Sequence, residues 1–385
     1  MTPQQLTEFR KELHRRPELS GREEITAKKV ASFLENLEPD ELITGLGGTG
    51  VMARFEPTGD PVQTILFRAE LDAIAVEEES DTPHRSVKPG IMHGCGHDGH
   101  MTILAGFSKA VSRNRPAQTR VLVLYQPAEE TGEGAQRVLA DERFNQLQVD
   151  HAFALHNLPG FPENSVVVRS GVFASASAGF EVRWKGRSSH AAYPEQGINP
   201  AAAMASFLIK AEEHLAGFRS SGPQNKAVNT FIRLGEPAFG ISPGNGKAGF
   251  TLRSPDNEML SKAIDSLKEL ADATAAGYDG SVETETVEPF AATVNSDEGV
   301  RVVIDAADSC GLQVIEQEEP FPWSEDFGRF GEKCPVTLFG LGAGEESKPL
   351  HSEQYDFNDS LIKPGIDLFS KILNLCDVNL NAFSG

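Results

Sequence analysis

Short apolar runs alternate with segments of helical periodicity along the first part of the chain. The runs at 64–67, 121–125 and 152–155 are continuous, which is typical of strands covered on both faces. Apolar residues at helical spacing lie between them at 101–111 and 134–139. This alternation predicts an α/β fold with a largely parallel sheet and helices on both of its faces.

The N-terminal segment predicts two helices, each with its apolar residues on one face. The first begins at Thr2 and Pro3, a cap residue followed by a proline that suits the first turn, and ends before Pro17. The second opens with Ser20 and Glu23, whose spacing is that of a capping box.

The middle of the chain follows a different order. Strand patterns at 180–184, 227–234, 247–253 and 281–286 and helix patterns at 200–215 and 255–276 give the order strand, helix, strand, strand, helix, strand. This βαββαβ order is that of a ferredoxin-like sandwich. We therefore predict an inserted domain at 174–288, within a larger domain formed by 1–173 and 289–385.

Charge and cysteine content exclude several classes of protein. With 56 acidic and 35 basic residues the net charge is -21, which disfavours binding to nucleic acids and anionic lipids. The N-terminal segment lacks the apolar core of a secretory signal, and no apolar run reaches the ~18 residues that a membrane span needs. The 4 cysteines are too few for a disulfide framework. We expect a cytoplasmic protein that binds neither nucleic acid nor membrane.

The densest group of metal-binding residue types is the glycine-rich segment H-G-C-G-H-D-G-H, from His93 to His100. Its glycines allow the backbone to turn so that Cys95 and His97 face one point. A thiolate and an imidazole suit a zinc-like ion. The alternative is a set of solvated loop histidines beside a buried structural cysteine.

A carboxylate pair follows a predicted strand. Glu129 and Glu130 come after the run at 121–125, at the edge of the sheet where α/β proteins bind ligands. Because neighbouring residues of an extended loop point to different sides, one can hold a metal while the other takes a proton from its water. In so acidic a chain the two could equally form a solvated surface pair.

The remaining candidate residues indicate a functional site only when they are considered together. His156 and Asp72 each follow a predicted strand, whereas His190 and His351 lie in predicted loops. Singly, each histidine could be a core or an exposed residue, and Asp72 could be a turn or cap residue. A serine hydrolase is not favoured, because no G-x-S-x-G elbow lies at a strand-to-helix turn.

Together these motifs resemble those of the metal-dependent amidohydrolase and carboxypeptidase family that includes the aminoacylases. The most similar branch is that of hippurate hydrolases, bacterial N-acyl-amino-acid amidohydrolases and plant auxin-conjugate hydrolases. The resemblance covers nearly the whole chain and rests on the segments 15–19, 93–100, 126–130, 154–157, 324–327 and 350–352.

The resemblance implies hydrolysis of the amide bond of N-acyl-amino acids. One or two divalent ions, with zinc, manganese, nickel and cobalt all compatible, would be held by Cys95, His97, Glu130, His156 and His351. A metallo-dipeptidase or carboxypeptidase is the nearest alternative. A cysteine-nucleophile amidase and a non-catalytic metal-binding relative are more distant ones.

The resemblance also implies roles for the remaining candidates. Glu129 would be the base that takes a proton from metal-bound water and returns it to the departing amine, and Asp72 would orient a ligand. His190 would stabilise the oxyanion, and Arg253 could clamp the substrate carboxylate or be a surface arginine. Residues 1–173 and 289–385 would form the catalytic metal-binding domain. The inserted domain at 174–288 would act as a lid and could pair chains into a homodimer or tetramer.

Several positions depart from the family pattern. Gly240 replaces a common asparagine, so one contact to the substrate would be lost, and Glu70 stands in place of an aspartate. Ser188 and Ser189 replace glycines, and Asn199 replaces an aspartate. None of these departures removes a predicted metal ligand.

Overall fold

The computed structural model describes residues 2–379 and divides them into two compact units. The larger unit contains the residues up to Phe173, Thr293–Pro320 and those from Glu325 onward, and the smaller contains Ala174–Ala292 and Phe321–Ser324. Compared with the proposed insert at 174–288, the smaller unit includes four further residues at its end and a separate segment at 321–324.

Helices and strands alternate over most of the described chain. The α-helices are α1 (Pro3–His14), α2 (Glu24–Glu35), α3 (His97–Arg113), α4 (Gly134–Ala140), α5 (Glu142–Asn145), α6 (Ala201–Ser220), α7 (Asn257–Ala275), α8 (Asp297–Ser309) and α9 (Ile362–Val378). The strands are β1 (Glu41–Leu46), β2 (Gly50–Phe55), β3 (Gln63–Glu70), β4 (Thr119–Gln126), β5 (His151–Pro159), β6 (Val166–Val168), β7 (Gly171–Ala174), β8 (Ala176–Lys185), β9 (Ser189–His190), β10 (Lys226–Leu234), β11 (Ile241–Ser242), β12 (Asn245–Ser254), β13 (Ser281–Phe290), β14 (Thr293–Asn295), β15 (Val314–Glu316) and β16 (Val336–Gly344).

The larger unit is built on a mixed sheet flanked by helices. Its main strand order is β1-β2-β4-β3-β5-β16-β14-β7. The pairs β3/β4, β3/β5, β5/β16 and β14/β16 are parallel, whereas the edge strands β1 and β2 pair antiparallel. Every residue of β3 is buried, so both faces of the sheet are covered at its centre. The predicted α/β class is confirmed.

The smaller unit has the predicted ferredoxin-like topology. Its antiparallel sheet has the order β10-β12-β8-β13, which numbered along the insert is 2-3-1-4. Alternate residues along β8 are buried, among them Phe180, Val182 and Trp184.

The two N-terminal helices begin in different ways. In α1, the Thr2 hydroxyl accepts the Gln5 N–H and the Gln5 side chain accepts the Thr2 N–H, a reciprocal cap that starts the helix where predicted. The capping box predicted at Ser20 and Glu23 is wrong, because the carboxylate that accepts N–H groups of the first turn of α2, those of Ile25 and Thr26, is that of Glu18.

Two observations concern the chain's environment. All 4 cysteines are free. Over residues 2–379, no helix combines the length and the apolarity that crossing a membrane would require.

Candidate metal centre

Three neighbouring parallel strands carry candidate residues to one region of the larger unit. Asp72 follows β3, and Glu129 and Glu130 follow β4. His156 lies within β5, which continues beyond the predicted run as far as Pro159. Since β4, β3 and β5 are adjacent and parallel, their carboxyl ends lie side by side.

The glycine-rich loop reaches the same region because Gly96 can adopt a left-handed conformation. Its φ is 92°, and a Cβ there would lie 2.4 Å from Asn157 Oδ1 and 2.7 Å from the Tyr355 hydroxyl. Only glycine satisfies both conditions without strain. Cys95 and His97 therefore flank a tight turn at the start of α3.

The structure brings all five predicted metal ligands together. Potential ligand atoms lie within 4.8 Å of one another in three overlapping groups: Cys95, His97 and His156; Cys95, Glu130 and His351; and His97, Glu129 and Glu130. The Cys95 sulfur, common to the first two groups, is 3.5 Å from His156 Nε2.

Hydrogen bonds fix the orientation of the two buried histidines. His97 donates from Nδ1 to the Asp72 backbone carbonyl over 2.9 Å, and His156 donates from Nδ1 to the Asn157 carbonyl over 2.9 Å. In its neutral form each ring therefore presents Nε2 as an acceptor, which is the usual arrangement of a metal-binding histidine.

Asp72 also orients the second glutamate. Its carboxylate accepts the Glu130 N–H over 3.0 Å and the Ser20 hydroxyl over 2.7 Å. Glu23 in turn accepts the Ala128 N–H over 2.9 Å and the Thr49 hydroxyl over 2.6 Å. Ser20 (through Asp72) and Glu23 therefore hold in place the loop that contains Glu129 and Glu130.

His351 reaches the site from the segment after β16. Its N–H donates to the Gly94 carbonyl over 2.8 Å, and its Nε2 lies 3.8 Å from Glu130 Oε2. Its φ of 63° is in the left-handed region, which is uncommon for a non-glycine residue and is concentrated at functional sites. The side chain is 53% exposed, which makes it the accessible member of the group.

Negative charge is concentrated among these buried groups. Burial, and then the like charges of Glu325 and Glu130, raise the pKa of the Glu129 carboxyl well above its usual range. Burial also raises the pKa of Glu130, to about 7. Burial alone would lower the pKa of His97, but carboxylates, led by Glu70, outweigh it and raise that pKa to about 10. A cation at this point would relieve the repulsion among the carboxylates.

The residues fit a divalent metal. Both His97 Nε2 and Glu130 Oε1 are buried, and neither has a hydrogen-bond partner among residues 2–379. Such orphaned atoms are costly unless something binds them. The set of one thiol, three imidazoles and carboxylates is one that zinc and similar ions accept.

The same surroundings disfavour Cys95 as a nucleophile. Burial, and then the charges of Glu130 and Glu129, raise the pKa of its thiol well above the usual range. A nucleophilic cysteine needs the opposite shift.

The other two predicted residues belong to the smaller unit. His190 is in β9, which pairs with β11, and its Nδ1 accepts the Ala192 N–H over 3.0 Å. Arg253 donates to the Pro322 carbonyl over 3.1 Å and to the Ser324 hydroxyl over 3.2 Å. Within residues 2–379, no carboxylate forms an ion pair with Arg253.

Sequence reasoning missed a buried ionic network beside Glu129. The Arg68 guanidinium donates to Glu325 over 2.9 Å and to Asp326 over 2.8 Å, and it also pairs with Glu70. All four side chains are at most 2% exposed. The only signal in the sequence is indirect, because Glu70 departs from the family pattern and 324–327 is one of the shared motifs.

Comparison with known proteins identifies the family. The profile of Peptidase family M20/M25/M40 matches residues 66–375, which include all the predicted metal ligands. The chain belongs to this family. It is therefore a metal-dependent hydrolase, as predicted.

Relatives of the M20 family match over almost their entire length. An uncharacterized hydrolase of Staphylococcus aureus (strain bovine RF122 / ET3-1) is 29% identical over 383 residues, covering 96% of this chain and 97% of the relative. The Bacillus subtilis YxeP protein, described as a dinuclear metal binding peptidase from the M20 family, is 25% identical, with a TM-score of 0.78 and coverage of 97% of this chain and 98% of the other. An aminobenzoyl-glutamate utilization protein from Klebsiella pneumoniae shares the fold at 18% identity, with a TM-score of 0.74 and coverage of 96% and 95%.

Proposed function

We propose that this M20 hydrolase cleaves the amide bond of small N-acyl-amino acids. The observation that carries the proposal is the arrangement of Glu129 beside the group of Cys95, His97 and His156. A buried carboxylate next to a cation site is what general-base hydrolysis of an unactivated amide requires.

The five ligands are proposed to hold one or two ions. Two of the three-residue groups share only the Cys95 sulfur, so these residues would have enough ligand atoms for two ions. Such ions would supply Lewis acidity and lower the pKa of coordinated water to about 7.

Glu129 is the proposed proton carrier. Its Oε1 accepts the Asp326 N–H over 3.4 Å, and its Oε2 lies 3.8 Å from His97 Nε2, on the side of the metal group. Glu129 would take a proton from the attacking water and deliver it to the nitrogen of the departing amine.

The smaller unit is proposed to contribute substrate contacts. Because His190 accepts a hydrogen bond at Nδ1, its neutral ring carries the proton on Nε2 and can donate it to a developing oxyanion. Arg253 has N–H groups left over to bind the substrate carboxylate. The edge strand β10 exposes Val228 and Ile232, which supports pairing of two copies into a homodimer or tetramer.

A dipeptidase or carboxypeptidase activity is the second candidate. The family is a peptidase family, and the B. subtilis relative is described as a peptidase. The Klebsiella protein is named for an N-acyl-amino acid, but at that identity the likeness concerns the fold.

The free cysteines support a cytoplasmic setting.

Two measurements test this function. After chelation and re-metallation, turnover of N-acetyl- and N-benzoyl-amino acids and of dipeptides is compared, and the proposal expects metal-dependent release of amino acids from the acylated substrates. Preference for dipeptides would support the second candidate.

The second measurement concerns the base. Glu129→Gln should keep the metal content but lower kcat by ~10²–10⁴. Glu133→Gln, which alters an exposed glutamate four residues along, is the matched control and should behave like wild type. Unchanged turnover of Glu129→Gln would exclude Glu129 as the base.

A further inference from the structure

The proposed base receives a hydrogen bond from Asp326, another residue of the larger unit. The Asp326 N–H donates to Glu129 Oε1, and both residues are buried. At 3.4 Å this bond is near the limit of hydrogen-bond length, so a displacement of a few tenths of an ångström would break it.

The Asp326 side chain is held within the larger unit by several partners. Its carboxylate accepts from Arg68 over 2.8 Å, from the Gln126 side chain over 2.8 Å and from the Ala135 N–H over 2.8 Å. Arg68 donates in addition to Glu325 over 2.9 Å. These bonds make the direction of the Asp326 N–H a property of a packed ionic network.

The residues directly before this pair belong to the smaller unit. Phe321–Ser324 pack there, and Arg253 binds both the Pro322 carbonyl and the Ser324 hydroxyl. The chain then enters the larger unit at Glu325. Two residues span at most ~7 Å, so a displacement of Ser324 is expected to shift Asp326 as well.

We propose that Asp326 is a positioning residue for Glu129, and that Arg253 contributes to this positioning by holding Pro322 and Ser324. The proposal rests on the proposed role of Glu129 as base. It gives Arg253 a second function besides binding the substrate carboxylate, and the two functions have different kinetic consequences. Loss of a clamp raises KM, whereas a misplaced base lowers kcat.

The test compares four variants with wild type for kcat, KM, metal content and thermal unfolding. Arg253→Met should lower kcat on the order of ten-fold, below the ~10²-fold cost of a 1 Å misplacement, and should also raise KM through loss of the carboxylate contact. Arg253→Lys should restore most of kcat, because its ammonium can still donate to Pro322 and Ser324. Ser324→Ala should lower kcat by a smaller factor, and Ser220→Ala, an exposed serine of α6, should match wild type.

Two outcomes would overturn the proposal. One is a raised KM at unchanged kcat in Arg253→Met, with no rescue by lysine, which is the behaviour of a bidentate clamp. The other is that Arg253→Met lowers kcat by the same factor in the Glu129→Gln variant as in wild type. An effect that is exerted through the base must vanish when the base is absent.

Hydrogen exchange gives a readout that needs neither turnover nor a stable Arg253 variant. Peptides covering 325–332 should exchange faster in Ser324→Ala than in Ser220→Ala, and equal exchange would contradict the link. Failure of the proposed function itself would appear separately, as unchanged turnover in Glu129→Gln.

Discussion

Replacing Gly96 by alanine should disrupt both the stability and the metal affinity of the site. Gly96 separates Cys95 from His97, and its φ of 92° belongs to the left-handed region. The added Cβ would lie 2.4 Å from Asn157 Oδ1 and 2.7 Å from the Tyr355 hydroxyl. These atoms are held in place, because Asn157 donates to Tyr355 over 2.6 Å and its Oδ1 lies 2.6 Å from a His100 ring nitrogen.

The magnitude follows from two contributions. Left-handed backbone costs a non-glycine residue ~1–2 kcal/mol. Moving Asn157 out of contact would sacrifice up to two buried hydrogen bonds, each worth about 1 kcal/mol. We therefore expect Gly96→Ala to lower the free energy of unfolding by about 3–4 kcal/mol, and metal affinity by ~10–100-fold, as for other changes behind metal ligands.

Gly160→Ala is the matched control. Its φ of 87° is nearly the same, but no atom lies within 4 Å of the point that a Cβ would occupy, so only the backbone cost of ~1–2 kcal/mol should appear. Urea unfolding of both metal-free variants separates the two contributions, because a bound ion would otherwise add its own stabilisation. Equal losses in the two variants would refute the role of packing.

Three further changes have defined outcomes. Cys95→Asp should weaken metal binding yet retain some turnover, since a carboxylate can also be a ligand; complete inactivity at full metal content would favour a nucleophilic thiol. Burial alone would lower the pKa of His14, but neighbouring carboxylates, led by Asp98, raise it to about 9 from 6.5. Its stabilisation, on the order of 3 kcal/mol, is therefore present below pH 6.5 and lost as the pH rises through 9, and His14→Gln should flatten the urea-measured pH profile in that window; an unchanged slope would exclude this source. Gly240→Asn should keep the wild-type melting temperature, because nothing lies within 4 Å of its Cβ position, and should change KM for N-acyl substrates; Gly244→Asn, whose Cβ would lie 2.4 Å from a backbone nitrogen, should be clearly destabilised, and equal stability of the two would contradict the steric explanation.

The sequence predicted the elements of the fold better than their ends. The apolar run at 64–67 correctly indicates β3, but the strand continues through Arg68 to Glu70. Charged residues ordinarily mark the end of a buried strand, because their burial is costly. Here they are paired with each other and with Glu325 and Asp326, which lie more than 250 positions away in the sequence. No local sequence pattern indicates that these distant ion-pair partners offset the cost of burial.

Most of the proposed metal ligands could be suggested from local spacing in the sequence. Cys95 and His97 are two positions apart, and Glu129 and Glu130 are adjacent, so local spacing already suggests a shared site. His351 carries no comparable signal, and it could be named only through the resemblance to a family. Its place beside Glu130 depends on its own left-handed φ and on a hydrogen bond to Gly94.

The failed capping box shows why the rest of the site escaped prediction. Ser20 and Glu23 have the spacing of a helix cap, yet their side chains bind Asp72, Ala128 and Thr49. A hydroxyl or carboxylate that caps a helix and one that braces a loop use the same hydrogen-bonding groups, so local sequence cannot tell the two uses apart. Which of the two uses occurs depends on the groups that lie nearby in the folded protein, and here these belong to Asp72 and to the loop that contains Glu129 and Glu130. Residues that orient the ligands are therefore harder to predict than the ligands, because their partners lie far away in the sequence.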